Sequence, residues 1–245
     1  MLILCKLVIL ILALTLDGHV NAVEVIGGHK AVPHSRPYMV ILERKMSDGK
    51  TKYCDGFLLN EDFVMTAAHC QASNYTVLLG VHNFHKQNGV QRVFVKDAFP
   101  HEDNSATEYS NDIMLLKLSS KAKFSPNVKP ISLAVQSDDF LPQSCIVSGW
   151  GSTADNNGYE SPVLMEVNVT LVDFEPYAEK HLYCSVGEKG PGCGDSGGPL
   201  VCEDGIAYGV VSFSTKISPY DQKIYGYTKI PDYINWIKQT IKIHD

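Results

Sequence analysis

The chain predicts an all-β fold closed by one helix. Short runs alternate apolar and polar residues, as in Gln91-Arg92-Val93-Phe94-Val95 and Met165-Glu166-Val167-Asn168-Val169, the two-residue period of a strand with one buried face. Clusters of Gly, Pro, Asn and Asp separate these runs and supply the turns. The period changes near Asp232, an expected N-cap, after which Ile234, Ile237 and Ile241 recur at helical spacing. The apolar face of that helix is read as core, not as a lipid or partner surface. With 245 residues and 44% hydrophobic content the chain can bury an extensive core. Length alone allows one or two domains, and no linker interrupts it.

The amino-terminal residues differ in character. Met1 to Ala22 carry one early lysine, Lys6, an apolar stretch from Leu7 to Leu16 and small residues near Ala22, the layout of a secretory signal. That ten-residue stretch is short of the roughly 20 residues a spanning helix needs, so export is expected rather than a membrane anchor. Removing Cys5 with the signal leaves six cysteines, an even number that favours disulfides over metal ligation in an exported chain. His82 and His85 sit three apart, but they and His29, His34, His101 and His181 lack the paired spacing of a metal site. No metal and no cofactor is expected. The sequons Asn74-Tyr75-Thr76 and Asn168-Val169-Thr170 suit an exported glycoprotein. Without Lys6, Asp17 and Glu24 the chain has 20 basic and 25 acidic residues, and a net charge near −5 argues against nucleic-acid binding.

Three short motifs carry chemistry. Gly194-Asp195-Ser196-Gly197, Thr66-Ala67-Ala68-His69-Cys70 and Asn111-Asp112-Ile113-Met114-Leu115-Leu116 together offer a nucleophile, a base and an orienting carboxylate. A serine hydroxyl is a poor nucleophile until a neighbouring imidazole can take its proton, which assigns Ser196 and His69. The imidazole then carries positive charge in a dry site, which a buried carboxylate on its far nitrogen stabilises, and Asp112 is the candidate. Alone, His69 reads as a satisfied core histidine and Asp112 as a strand-edge acid. Their flanks and the order His, Asp, Ser reverse that reading.

From Val25 to the end, the chain resembles the chymotrypsin-like serine proteases. The resemblance implies two six-stranded antiparallel β-barrels, with the site in the cleft between them. It also implies an oxyanion hole from the amides of Gly194 and Ser196, a term worth roughly 3 kcal/mol per donor. Val23 and Glu24 precede Val25-Ile26-Gly27-Gly28, which is similar to the start of an activated enzyme in this family. The expected organisation is a signal at 1–22, an activation dipeptide at 23–24 and a protease domain at 25–245. A dipeptide ending in an acid, followed by Pro33-His34-Ser35-Arg36-Pro37-Tyr38-Met39, resembles the granzyme and mast-cell protease branch. That branch implies storage in secretory granules, an activating dipeptidyl peptidase, serpin-type inhibitors and a monomer acting on protein or peptide substrates. The net negative charge departs from the basic character of granule proteases stored on proteoglycan.

Asp195 is expected to be buried, which is costly without a cation. The freed amine of Val25 is the expected partner, ordering the loop that carries Gly194. The family implies the disulfides Cys54–Cys70 and Cys145–Cys202, each worth roughly 3 to 4 kcal/mol. Cys184 and Cys193 either join locally or stay free, with free thiols favoured. Cys193 falls at the entrance of the specificity pocket. Gly190 stands six residues before Ser196, where trypsin-like members carry an aspartate, so cleavage after Lys or Arg is not expected. Ser212, Phe213 and Ser214 form one pocket wall, and Ser212 and Phe213 should pair with substrate backbone as an added strand. Ser214 and Tyr225 stand where deep-pocket relatives have glycine. Either they narrow the pocket for small or medium uncharged residues, or Tyr225 turns outward and a chymotrypsin-like pocket survives.

Overall fold

The computed structural model describes residues 26–105, 107–135, 141–152, 160–174, 180–216, 218 and 222–245. The expected signal and activation dipeptide, and Val25 itself, lie outside these residues. Among the described residues, fourteen strands and one α-helix confirm the all-β reading. Among the described residues no helix is long and apolar enough to cross a membrane.

The first half is a closed antiparallel barrel. Strands β2 (Met39–Lys45), β3 (Thr51–Leu58), β4 (Phe63–Thr66), β5 (Asn74–Leu79), β6 (Gln91–Pro100) and β7 (Met114–Leu118) close in the order β2-β3-β4-β7-β6-β5. Closure removes the free edges that would otherwise template aggregation. Val40, Leu42, Phe57, Met65, Val77, Leu79, Leu115 and related side chains fill the core at 0–1% exposure. The alternating run at Gln91–Val95 is the start of β6, as its period requires.

The second half is an eight-stranded sheet in which two members, β1 (His29–Lys30) and β10 (Leu171–Val172), are two residues long. Its six longer strands are β8 (Cys145–Gly149), β9 (Met165–Val169), β11 (Leu182–Gly187), β12 (Pro199–Cys202), β13 (Ala207–Thr215) and β14 (Lys223–Lys229). All six send side chains into one apolar cluster that includes Val147, Val167, Tyr183, Leu200, Val211 and Tyr225. These six strands therefore share one apolar interior. β1 pairs with β9, so the start of the described chain is tied to the second half.

The terminal helix α1 spans Ile234–His244, with Ile234 and Ile237 buried in the first barrel's core and Ile241 packed against it. A 3-10 turn at Ile230–Tyr233 precedes it, so the expected start at Asp232 is shifted and Asp232 is not the cap. Its carboxylate is taken by His181 Nδ1 at 2.8 Å instead. A local capping preference lost to a tertiary contact.

Candidate active site

His69 sits in a one-turn 3-10 segment, Ala68–Cys70, directly after β4, and the Cys54–Cys70 disulfide fastens that segment to β3. The Asp112 carboxylate reaches it twice. Oδ1 accepts the His69 backbone N–H at 2.8 Å, and Oδ2 lies 2.7 Å from Nδ1. Ser212 donates its hydroxyl to the same Oδ2 at 2.5 Å. A β-bulge in β13 between Val211 and Phe213 re-aims Ser212 towards this carboxylate. Burial of Asp112 opposes its charge, yet the hydrogen bonds from His69 and Ser212 outweigh it, so its carboxyl lies below the usual carboxylate range.

The approach to Asp112 is anchored from its own motif and from two partners distant in sequence. Asn111 has φ +53°, a conformation asparagine tolerates better than most residues, and it swings the next side chain inward. Tyr233 donates its hydroxyl to Asn111 Oδ1 at 2.9 Å, and Thr228 donates to the Asp112 carbonyl at 2.9 Å. Sequence offered no signal for these partners, because each arrives from the far end of the chain.

Ser196 belongs to a tight turn seated on the His69 segment. Its carbonyl accepts the Asp55 N–H at 2.8 Å and lies 3.8 Å from Cys70 Sγ. A Cβ on Gly197, whose φ is +84°, would come within 2.0 Å of Thr66 Oγ1, so only glycine lets the turn approach this closely. The Ser196 hydroxyl makes no hydrogen bond to His69 in this structure. His69 Nε2 is left open for it, since Nδ1 is occupied by Asp112. Apo geometry at such pairs is commonly loose and tightens with substrate. Gly194 has φ +105°, and a Cβ there would meet Gly151 Cα at 2.9 Å. The amides of Gly194 and Ser196 donate to no acceptor among the described residues.

Asp195 is fully buried, as expected, with Oδ1 accepting from Gly151 N and Oδ2 from Gly192 N, both at 2.7 Å. Burial raises its carboxyl to about 6, and no Lys, Arg or His among the described residues pairs with it. The expected partner, Val25, falls outside those residues.

Both expected disulfides form, and Cys184 and Cys193 are free, the first buried and the second exposed. Cys54, His69 and Cys70 are the one group near enough to hold a metal among the described residues, and its two sulfurs are spent in a disulfide. Gly190 and Tyr225 meet directly, since a Cβ on Gly190 would lie 2.5 Å from the Tyr225 ring. Tyr225 is fully buried, so it points into the space beside Gly190 and not outward. The Phe213 ring covers Gly226 and stacks on Tyr109 at 4.2 Å, while Ser214 is exposed.

A barrel joined to a second sheet, with a histidine, an acid and a serine at their junction, is the architecture of the chymotrypsin-like serine proteases. A family model described as Trypsin matches residues 25–237, and the chain belongs to that family. It is 39% identical to rat Granzyme B over 97% of this chain and 99% of that protein, and 40% identical to human Granzyme B over 96% and 98%. Sheep Mast cell protease 3 is 38% identical over 95% of each chain. A solved structure described as "Structure of GrC" superposes with TM-score 0.77 at 34% identity, covering 89% of this chain and 100% of the other. Mouse neuropsin, a serine protease, gives 0.75 at 30%, covering 87% and 98%. The chain is a serine endopeptidase of the granzyme and mast-cell protease kind.

Proposed function

We propose that Ser196 is the nucleophile, His69 the general base and Asp112 the orienting carboxylate of this endopeptidase. The observation that carries the assignment is the double grip of Asp112 on His69, through the backbone N–H and through Nδ1. It holds the proton on Nδ1 and turns Nε2 outward as the acceptor. Ser196 Oγ attacks the scissile carbonyl and gives its proton to Nε2. The amides of Gly194 and Ser196 receive the oxyanion. His69 then protonates the leaving amine, and water hydrolyses the acyl-enzyme by the same steps reversed.

The enzyme is made with a signal at 1–22, exported or stored in granules, carries glycans at Asn74 and Asn168, and becomes active when Val23 and Glu24 are removed by a dipeptidyl peptidase. The new Val25 amine pairs with Asp195. What supports this is the neighbour of Val25: Ile26 offers its carbonyl to Gly190 N at 3.1 Å, in the loop that leads to Asp195. Protein chains are the substrates, serpin-type inhibitors the regulators, and the working unit a monomer.

Cleavage follows small or medium uncharged residues. Tyr225 fills the space beside Gly190, and the described wall offers no carboxylate at Gly190 to receive Lys or Arg. Substrate backbone pairs along Ser212–Ser214 as an added strand, beside Cys193 at the entrance. A peptide-library profile of the processed enzyme tests this. Enrichment of Ala, Val or similar residues at the cleavage position is expected, and dominance of Arg or Phe would refute it. Comparing the chain with and without the dipeptide tests activation, and equal turnover would reject the pairing.

A further inference from the structure

Asp55 is a second buried acid beneath the Ser196 turn, and the proposed chemistry does not use it. It lies in β3 beside Cys54 at 2% exposure. Its N–H donates to the Ser196 carbonyl at 2.8 Å, its carbonyl accepts from Thr66 Oγ1 at 2.8 Å, and its Oδ2 accepts from Trp150 N at 3.2 Å. The Asp195 carboxylate is its neighbour. A Cβ on Gly149 would lie 2.1 Å from Asp195 Oδ1 and 2.4 Å from Asp55 Oδ2, so the two acids meet over that glycine.

We propose that Asp55 is a positioning residue that keeps its proton at neutral pH and, as a neutral acid, braces the Ser196 turn while Asp195 is the single buried anion there. Two carboxylates this close in a dry site cannot both ionise. The donors decide which one does. Asp195 receives two amides at 2.7 Å and Asp55 one at 3.2 Å, so the charge settles on Asp195. The titratable groups facing Asp55 agree. Burial first, then repulsion from Asp195 and Glu160, holds its carboxyl well above the usual range against the one amide from Trp150. Tyr53, His85 and Glu160 share with it a cavity of about 150 Å³, and Arg44 on β2 acts on Glu160. None of these forms an ion pair with Asp55 among the described residues. The inference stands whatever partner Asp195 acquires.

The raised native affinity for the proton fixes the sign of the test. Stability falls as pH rises from about 4, the unfolded value, towards the native value of Asp55. Asp55→Asn mimics the neutral acid and lacks that fall, so its melting temperature should rise relative to the parent as pH goes from acid to neutral, both in the full chain carrying Ser196→Ala. In processed enzyme, Asp55→Asn should keep most of kcat, whereas Asp55→Leu should lose tenfold or more with KM little changed. Infrared spectra at neutral pH should show the carbonyl band of a protonated carboxylic acid, shifted by aspartate-selective carbon labelling and lost in Asp55→Asn. If the variants fail to fold, the labelled parent decides alone: the band supports the inference and its absence overturns it. Parallel pH curves, or Asp55→Asn as damaging to kcat as Asp55→Leu, would equally mean that Asp55 is ionised.

Discussion

Asp112 is 5% exposed and still holds its carboxyl below the usual carboxylate range, because His69 and Ser212 outweigh the cost of burial. A depressed acid stabilises the fold above its unfolded value, about 3.9, and that contribution is lost as pH falls through the native value. Asp112→Asn should flatten the acid side of the stability profile. It should also lower kcat by about 10⁴-fold, the scale on which this exchange acts in Ser-His-Asp proteases. Calorimetry across pH and steady-state kinetics check the two halves separately. The proposed roles of His69, Asp112 and Ser196 were legible in the sequence because such chemistry dictates the residue types beside them, above all the glycines of the proposed nucleophile turn. Asp55 was not, since its neighbour Asp195 lies far along the chain. The available signal was an acid placed between a disulfide cysteine and the apolar run Gly56-Phe57-Leu58. Tyr225 was half legible: its bulk was evident, but the face it takes depends on strand register. Tyr225→Gly should open the space beside Gly190 and raise kcat/KM for substrates with Phe at the cleavage position by about tenfold or more.

Between β11 and β12 the chain carries Cys193 and then the Ser196 turn, so this connection brings a free thiol to the edge of the proposed cleft. Alkylation of the folded, processed protein should modify exposed Cys193 alone. Buried Cys184, whose thiol burial pushes up to about 11, should react only after unfolding. Peptide mapping with iodoacetamide checks this, and native labelling of Cys184 would contradict it. The strand period located β6 and β9, but nothing in the residues of β13 announced the bulge that aims Ser212 at Asp112. The terminal helix was found by its isoleucine spacing while its cap was not, because His181 claims the Asp232 carboxylate from another element. Local periods survive folding; side-chain allegiances are settled by tertiary contacts.

At the scale of the molecule, the proposed function rests on two halves that meet at one site and on an amine that completes it. Burial places the Asp195 carboxyl at about 6 in the unprocessed chain. A raised Asp195 adds its own share to the precursor's fall in stability as pH rises from about 4 to that value, up to about 3 kcal/mol, on top of the fall set by Asp55. Once the Val25 amine is free, that share should disappear, and calorimetry of the two forms across this window checks it. The assignment of the nucleophile is tested most directly by treating the processed protein with a fluorophosphonate and mapping the adduct by mass spectrometry. One phosphonyl group on Ser196 is expected, formed as peptide hydrolysis is lost, with none on the Ser196→Ala protein. An adduct on another residue, or hydrolysis that persists in Ser196→Ala, would contradict it.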